Sequence, residues 1–193
     1  GGHLTHGAPV TCISKLFRFV RYKMKDVETG EIDYDNLREV AKRERPKIVL
    51  AGFSAYPREY DYAKMKAIAD EVGAIAVADM AHISGLIAGG ALKNPFDYGF
   101  HCMTTTTHKT LRGPRGGMIL TRGKVGNPLK QCERTVENLP TLVDRSIFPG
   151  FQGGPHMHQT AAIAVALGEA MTPEYKEYAA QGVKNAKAMA DEL

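Results

Sequence analysis

The sequence predicts an α/β fold built on a mostly parallel sheet flanked by helices. Two short apolar runs, residues 47–51 (KIVLA) and 74–78 (AIAVA), are typical of buried parallel strands. A helical pattern lies between them, and further strand-like stretches follow. This alternation indicates strand–helix–strand units, because parallel strands need a crossover connection between them.

The two helices of this prediction each begin after an aspartate. Asp33 precedes residues 34–45 and Asp61 precedes residues 62–72, and either side chain can cap the first turn of its helix. Pro46 is expected to end the first helix. Apolar residues recur on one face of each helix, as packing on a sheet requires: Leu37, Val40 and Ala41 in the first, and Met65, Ile68, Ala69 and Val72 in the second.

Three more strands are predicted on either side of this unit. Residues 16–24 alternate apolar and basic side chains, residues 98–107 form an extended stretch, and residues 117–121 (GMILT) form a return strand. Residues 126–193 are predicted to be largely helical, with an interruption at 148–155 (FPGFQGGP). The Ala positions of residues 161–170 have helical spacing and are expected to be core or interface.

Composition is that of an ordinary soluble globular protein, with 44% hydrophobic and 24% charged residues. The three cysteines are scattered and contain no C-x-x-C motif, which argues against a disulfide framework or a zinc site and favours a cytoplasmic location. A histidine pair, His3 and His6, has no third ligand nearby, so no metal site is expected. The net charge of +4 is small and no apolar run could span a membrane, so neither nucleic acid nor membrane is an expected partner.

The distribution of charge is more informative than its total. No acidic residue lies between Asp97 and Glu133. Six basic residues fall in that interval: Lys109, Arg112, Arg115, Arg122, Lys124 and Lys130. Their positive field could receive an anionic cofactor or substrate. The alternative is a solvated basic edge.

Polar side chains follow three of the predicted strands. Ser54, Asp79 and residues 107–109 each come at or just after the carboxyl end of a strand. Ligands of open α/β sheets bind beyond these ends, so a single site could collect all three.

Residues 104–117 (TTTTHKTLRGPRGG) combine four β-branched threonines with a loop that carries Lys109. A pyridoxal phosphate site needs a lysine for the Schiff base, a carboxylate against the pyridine nitrogen, and an aromatic or imidazole face over the ring. Lys109 can be this lysine, and Asp79 can be the carboxylate because it ends an apolar strand. Taken alone, Lys109 is also explained as a solvated lysine in a turn, and Asp79 as a cap for residues 81–86.

Five segments of the chain resemble the serine hydroxymethyltransferase family. They are GGHLTHG, FSAY, DMAHISGL, TTTTHKTLRGPRGG and FPGFQGGP, and they occur in that family's order and at its spacing. The resemblance covers essentially the whole chain. It implies an aspartate-aminotransferase-like large domain, of the pyridoxal phosphate enzymes of fold type I. Residues 1–193 would then be a part of this domain, truncated at both ends and running into the start of the helix that leads to a C-terminal domain.

The resemblance also implies roles for residues around the cofactor ring. Lys109 would carry pyridoxal phosphate, and Asp79 would pair with the pyridine nitrogen. His3 would stack on the ring, while Ser54 and His82 would lie near its phenolic oxygen.

Further residues would shape the surroundings of the Schiff base and the phosphate. By the same resemblance, Thr106 and His108 would lie around the Schiff base, and Arg115 would help to order the site. Gly153 and Gly154 would offer backbone amides to the cofactor phosphate of a neighbouring subunit, since glycine lets backbone N–H groups approach an anion. Without the resemblance, this glycine pair would be an ordinary turn before a helix.

The implied reaction interconverts serine and glycine and passes a one-carbon unit to tetrahydrofolate. A homo-oligomer, a dimer or a tetramer of dimers, is expected from the shared phosphate site. The family's regions that supply a proton-transferring carboxylate and a carboxylate-binding arginine have no counterpart here, so the 193 residues are expected to be a fragment that is not competent alone. The alternatives are another enzyme of this fold, a threonine aldolase or aminotransferase, and a non-enzymatic polyanion-binding module.

Four other histidines and one cysteine are given structural interpretations. His6, His101, His156 and His158 are expected at solvent-facing or helix-face positions, with a proton relay as the alternative. Cys102, on an apolar strand, is expected to be a buried small hydrophobic residue.

Overall fold

A computed structural model of the chain describes residues 2–122 and 138–193. Its sheet has four strands in sequential order: β1 (Ile48–Ala51), β2 (Ile75–Asp79), β3 (Cys102–Thr106) and β4 (Gly117–Thr121). The first three strands are parallel, and β4 runs antiparallel to β3. The prediction of a mostly parallel sheet flanked by helices is therefore confirmed.

The α-helices of the described residues surround this sheet. They are α1 (Ile13–Leu16), α2 (Tyr34–Glu44), α3 (Tyr62–Glu71), α4 (Ser84–Ala88), α5 (Leu139–Arg145), α6 (Met157–Ala170) and α7 (Pro173–Glu192). As predicted, Asp33 and Asp61 cap α2 and α3, since their carboxylates accept the backbone N–H groups of Asn36 and Lys64 at 2.9 Å. Between α5 and α6 lies an irregular turn, Ser146–Phe151, at the interruption that the sequence predicts.

The hydrophobic core lies between the sheet and the pair α2 and α3. Met65, Ile68 and Ala69 of α3 are fully buried against Val49 of β1 and Ala76 of β2. This arrangement follows from the one-sided apolar pattern of α3 and the continuous apolar runs of β1 and β2. A smaller cluster joins Leu111, Ala170 and Tyr175 on the far side of the Lys109 loop.

The predicted strand at residues 16–24 is wrong. Residues 13–16 form α1, residues 17–23 have no regular structure, and Met24 forms a single bridge with Ile32. An alternating pattern becomes a strand only where a neighbouring strand pairs with it, and no strand of the described residues pairs with this segment.

Two other predictions need correction. The strand predicted over 98–107 begins only at Cys102, because Pro95–Tyr98 forms a 3-10 turn capped by Asn94 and ended by Gly99 at φ +86°. Helix α6 contributes only Ala170 to a core cluster, whereas the sequence pattern predicts core or interface positions along the helix. An interface role for α6 stays a prediction.

Some predictions lie outside the described residues. These are the start of the helical region at 126–137 and the residues Lys124, Lys130, Cys132 and Glu133. No helix within 2–122 and 138–193 combines the length and apolar content needed to cross a membrane.

Candidate functional site

Lys109 and His82 meet beyond the carboxyl ends of β2 and β3. The Nζ of Lys109 lies 3.1 Å from Nε2 of His82, and both side chains are partly buried. A lysine nitrogen donates hydrogen bonds, so the imidazole Nε2 accepts here. Burial lowers the pKa of His82, and the positive charge of Lys109 lowers it further, which keeps Nε2 free to accept.

The loop that carries Lys109 is braced by its own backbone and by β4. Thr107 is 1% exposed; its hydroxyl donates to the carbonyl of Pro114 at 2.6 Å, and its carbonyl accepts from Gly113 N–H at 2.7 Å. His108 accepts the N–H of Gly116 through Nδ1 at 3.4 Å. These bonds close residues 107–116 into a compact loop and leave Lys109 to point toward His82.

Thr110 joins the same loop to α4 and α7. Its hydroxyl donates to the carbonyl of His82 at 3.2 Å and accepts from Gly85 N–H at 2.9 Å. Its carbonyl accepts from the hydroxyl of Tyr175 at 2.8 Å. The position of Lys109 relative to His82 is therefore fixed on both sides of the lysine.

Asp79 ends β2 and is held by a histidine from the amino-terminal segment. Nε2 of His6 lies 2.8 Å from Oδ2 of Asp79, with 13% and 22% of the two side chains exposed. The other carboxylate oxygen, Oδ1, accepts the N–H of Ala81 at 3.2 Å. Burial raises the pKa of Asp79, but the hydrogen bonds from His6, Ala81 and Thr104 outweigh it, and the pKa lies below its ordinary value.

The interpretation of His6 as a solvent-facing or helix-face residue is therefore wrong, and the same holds for His101. His101 is partly buried and accepts the N–H of Ala76 through Nδ1 at 3.0 Å. His156 and His158 are exposed at the start of α6, as expected. Cys102 is buried, also as expected, and burial raises the pKa of its thiol to about 11.

His3, His82, Lys109 and Asp79 share one neighbourhood. The pKa of His82 is lowered by burial and by the charges of Lys109 and His3, and it is raised by the charge of Asp79. The rings of His3 and His6 meet edge to face, with centroids 5.9 Å apart. On the β3 side, the hydroxyl of Thr106 donates to the carbonyl of Ala81 at 3.4 Å. Four of the sequence-predicted side chains and Thr106 are thus brought together.

Four other sequence-predicted residues are not part of this group. Ser54, Arg115, Gly153 and Gly154 are exposed, and no hydrogen bond within residues 2–122 and 138–193 joins them to it. Nothing lies within 4 Å of where the Cβ atoms of Gly153 and Gly154 would be, so their backbone is open. An open backbone agrees with the predicted contact to the cofactor phosphate of a neighbouring subunit. Their predicted roles stay predictions.

The donors of this group fit pyridoxal phosphate. A carboxylate with a lowered pKa in a partly buried position can balance a protonated ring nitrogen. The partly buried amine of Lys109 can form a Schiff base. The imidazoles of His82 and His3 are available to contact the edge and the face of a bound ring. Within the described residues, no group of three or more His, Cys, Asp or Glu side chains could hold a metal ion.

A cavity of about 240 Å³ is lined by Asp79 and by other residues at the ends of β1 and β2 and on helix α7. Its wall is mostly apolar and aromatic, including Tyr56, Tyr60 and Val183. Neither Lys109 nor His82 lines it, so the cavity does not hold the amine of Lys109.

Sequence reasoning missed three residues that shape the site. From the sequence His6 is assigned a structural role, because no local pattern links it to Asp79, 73 residues away along the chain. Gly52 follows β1 directly at φ +138°, and a Cβ there would overlap the carbonyl oxygen of Asp79. Tyr175 has no local signal, because its partner Thr110 lies 65 residues away along the chain.

Comparisons with known proteins agree with this geometry. A family model described as "Serine hydroxymethyltransferase" matches residues 1–193. The whole chain is 51% identical to "Serine hydroxymethyltransferase 2" of Salmonella typhi and 50% identical to "Serine hydroxymethyltransferase" of Nostoc punctiforme. In both comparisons the chain spans 42% of the length of the relative.

Proposed function

Because the chain belongs to the serine hydroxymethyltransferase family, we propose that the protein carrying it interconverts serine and glycine, with tetrahydrofolate as the one-carbon carrier. The observation that carries the proposal is the meeting of Lys109 and His82 in the neighbourhood of Asp79. This class of reaction needs an amine that forms the Schiff base with pyridoxal phosphate and an anion that pairs with the ring nitrogen. Serine, glycine and tetrahydrofolate are the substrates that the family membership suggests.

Pyridoxal phosphate, when bound, supplies an electron sink for the bond that breaks at the substrate Cα. Lys109 would provide the amine that holds the cofactor. Asp79 would place a negative charge against the ring nitrogen, and its lowered pKa supports an ionised state across the neutral range. His3 would stack on the ring.

The remaining residues orient the reacting groups. His82 accepts from Lys109 and holds its Nζ in place. By the family motifs, His82 and Ser54 would lie near the phenolic oxygen of the cofactor. Thr106 and His108 shape the surroundings of the lysine, and Arg115 orders the loop around it. Support for these roles comes from the match of their motifs to the family and, for Thr106 and His108, from their position on β3 and its loop.

The assembly is part of the proposal. Gly153 and Gly154 offer backbone N–H groups to the phosphate in a neighbouring subunit of a homo-oligomer, a dimer or a tetramer of dimers. Exposed apolar residues of α6, among them Met157 and Val165, support a subunit contact nearby. Residues 1–193 are then a part of the cofactor-binding large domain. The free thiols of Cys12 and Cys102 support a cytoplasmic location.

The test is product analysis with the full-length protein that carries this sequence. Loaded with pyridoxal phosphate, it should convert serine to glycine only when tetrahydrofolate is added. Folate-independent cleavage of threonine as the main activity would identify an aldolase instead, and transfer of the amino group to a keto acid would identify an aminotransferase. Absence of all three reactions would refute the proposal.

A further inference from the structure

His6 forms hydrogen bonds through both ring nitrogens. Nδ1 accepts the backbone N–H of His3 at 3.3 Å, while Nε2 lies 2.8 Å from Oδ2 of Asp79. A nitrogen that accepts a hydrogen bond carries no proton, so the proton of the ring lies on Nε2. His6 therefore donates to Asp79, and the backbone of His3 determines which tautomer it adopts.

The carboxylate of Asp79 is fixed at both oxygens. Oδ2 accepts from His6 and Oδ1 accepts from Ala81 N–H, and the backbone of Asp79 packs against Gly52. The Ala81 bond is local, because it spans two residues of the chain. The His6 bond spans 73 residues and alone joins the carboxylate to the amino-terminal segment among these contacts.

We propose that His6 is a positioning residue, which orients the carboxylate of Asp79 toward the ring nitrogen of the cofactor and ties it to the backbone of His3. The proposal rests on the proposed function, since it assigns the ring nitrogen to Asp79 and the ring face to His3. The imidazole of His6 would then fix the position of the Asp79 carboxylate, which pairs with the ring nitrogen, relative to His3, which lies over the ring face.

Removing the donor has a definite consequence for the carboxylate. An ionised, partly buried oxygen without its hydrogen-bond partner is costly, so Asp79 would rotate to another donor or bind a proton. In either case its attraction for a protonated ring nitrogen falls. A residue that serves only to pack the amino-terminal segment would not act on the ring nitrogen at all.

The test uses a matched pair of variants in the full-length protein, His6→Met and His6→Gln. The two side chains are of similar length, but only glutamine can donate to Asp79. Dissociation constants are measured for pyridoxal phosphate and for an analogue in which CH replaces the ring nitrogen. For pyridoxal phosphate we expect His6→Met to bind about ten-fold or more weakly than wild type, and His6→Gln to recover most of the loss.

The analogue separates positioning from packing. It offers Asp79 no ring nitrogen, so the loss of affinity in His6→Met should be clearly smaller for the analogue than for pyridoxal phosphate, and only the part that acts through His3 should remain. An equal loss for both ligands, or a His6→Met variant that binds pyridoxal phosphate as tightly as wild type, would overturn the inference and leave the proposed function standing. Wild-type protein that binds no pyridoxal phosphate would instead refute the proposed function.

A second measurement needs no stable His6→Met variant. Nitrogen NMR of ¹⁵N-histidine-labelled wild-type protein without cofactor reports the tautomer of each ring, and comparison with His6→Gln assigns His6. The inference expects the Nε2–H tautomer. A Nδ1–H tautomer would mean that His6 cannot donate to Asp79, and it would overturn the inference directly.

Discussion

At the scale of single residues, the geometry of Asp79 depends on the close approach of Gly52. A Cβ at position 52 would lie 2.8 Å from the Cβ of Asp79 and overlap its carbonyl oxygen. The backbone there has φ +138°, which side-chain-bearing residues rarely adopt. The end of β1 can therefore pack beside Asp79 only because residue 52 lacks a side chain.

We predict that Gly52→Ala lowers the free energy of unfolding by about 1–3 kcal/mol from overpacking, in addition to the cost of its backbone conformation. It should also weaken pyridoxal phosphate binding, because Asp79 must move. Equilibrium urea unfolding and cofactor titration measure the two effects. Gly73→Ala is the control, since Gly73 also has positive φ but has nothing within 4 Å of its Cβ position. Equal losses in the two variants would contradict the prediction.

The residues of the site were predictable to different degrees. Lys109, Asp79 and His82 follow from their motifs, and Asp79 also follows from its place at the end of a buried strand. The His6–Asp79 bond could not be predicted from residue types, because it joins segments 73 residues apart. Such contacts depend on how the amino-terminal turn lies on the sheet, and no local pattern encodes that.

At the scale of secondary-structure elements, α7 supports the lysine loop through Tyr175. This side chain is 1% exposed, and its hydroxyl donates to the carbonyl of Thr110, the residue after Lys109. Tyr175→Phe removes the hydroxyl, so the carbonyl of Thr110 loses this hydrogen bond. We expect a loss of about 1–2 kcal/mol in the free energy of unfolding, measured in urea.

Tyr178→Phe provides the matched control for this prediction. Tyr178 lies one turn further along α7, is 42% exposed and contacts the guanidinium of Arg112 through its ring face. Its ring is kept in the variant, so stability should change by less than about 0.5 kcal/mol. A larger loss for Tyr178→Phe than for Tyr175→Phe would show that the hydroxyl of Tyr175 does not support the loop.

The pairing of β2 with β3 includes a titratable group. His101 accepts the N–H of Ala76 through Nδ1, and burial lowers its pKa from 6.5, helped by the positive charge of Lys66. The unfolded chain therefore binds a proton more readily than the folded chain. Stability contributed by the unprotonated ring is present above pH 6.5 and is lost as the pH falls toward the folded-state pKa.

We predict that the unfolding free energy decreases below pH 6.5, and that His101→Asn reduces this decrease. An asparagine oxygen can accept the Ala76 N–H but does not titrate there. His82 has a pKa lowered by burial and by Lys109, so part of the pH dependence should remain. Urea unfolding between pH 5 and 8 measures how the unfolding free energy changes with pH. The same change with pH in His101→Asn as in wild type would contradict the assignment of the proton to His101.

Among the elements, those defined by local chemistry were predicted and those that need distant partners were not. The caps of α2 and α3 and the return strand β4 agree with the sequence pattern. Residues 16–24 have a strand-like pattern, but no neighbouring strand among the described residues pairs with them.

At the scale of the whole molecule, alternation of buried strands with capped helices predicts a mostly parallel sheet and the helix faces that pack on it. It does not predict which apolar helices lie outside the core. Helix α6 has a strongly apolar sequence, but it exposes Met157 and Val165 at 68% and 64%. A core prediction from helical spacing assumes that the buried face lies within the same chain. The subunit contact proposed for α6 would instead bury its apolar face against another chain, so this assumption would not hold for α6.

The central claim, that Lys109 carries the cofactor, is tested most directly by locating the reduced Schiff base. The full-length protein is mixed with one equivalent of pyridoxal phosphate, treated with borohydride, digested and analysed by mass spectrometry, beside Lys109→Arg. We predict a pyridoxyl-phosphate adduct on the peptide containing Lys109 and none on the corresponding peptide of the variant. An adduct confined to another lysine, with Lys109 unmodified in the wild type, would contradict the account.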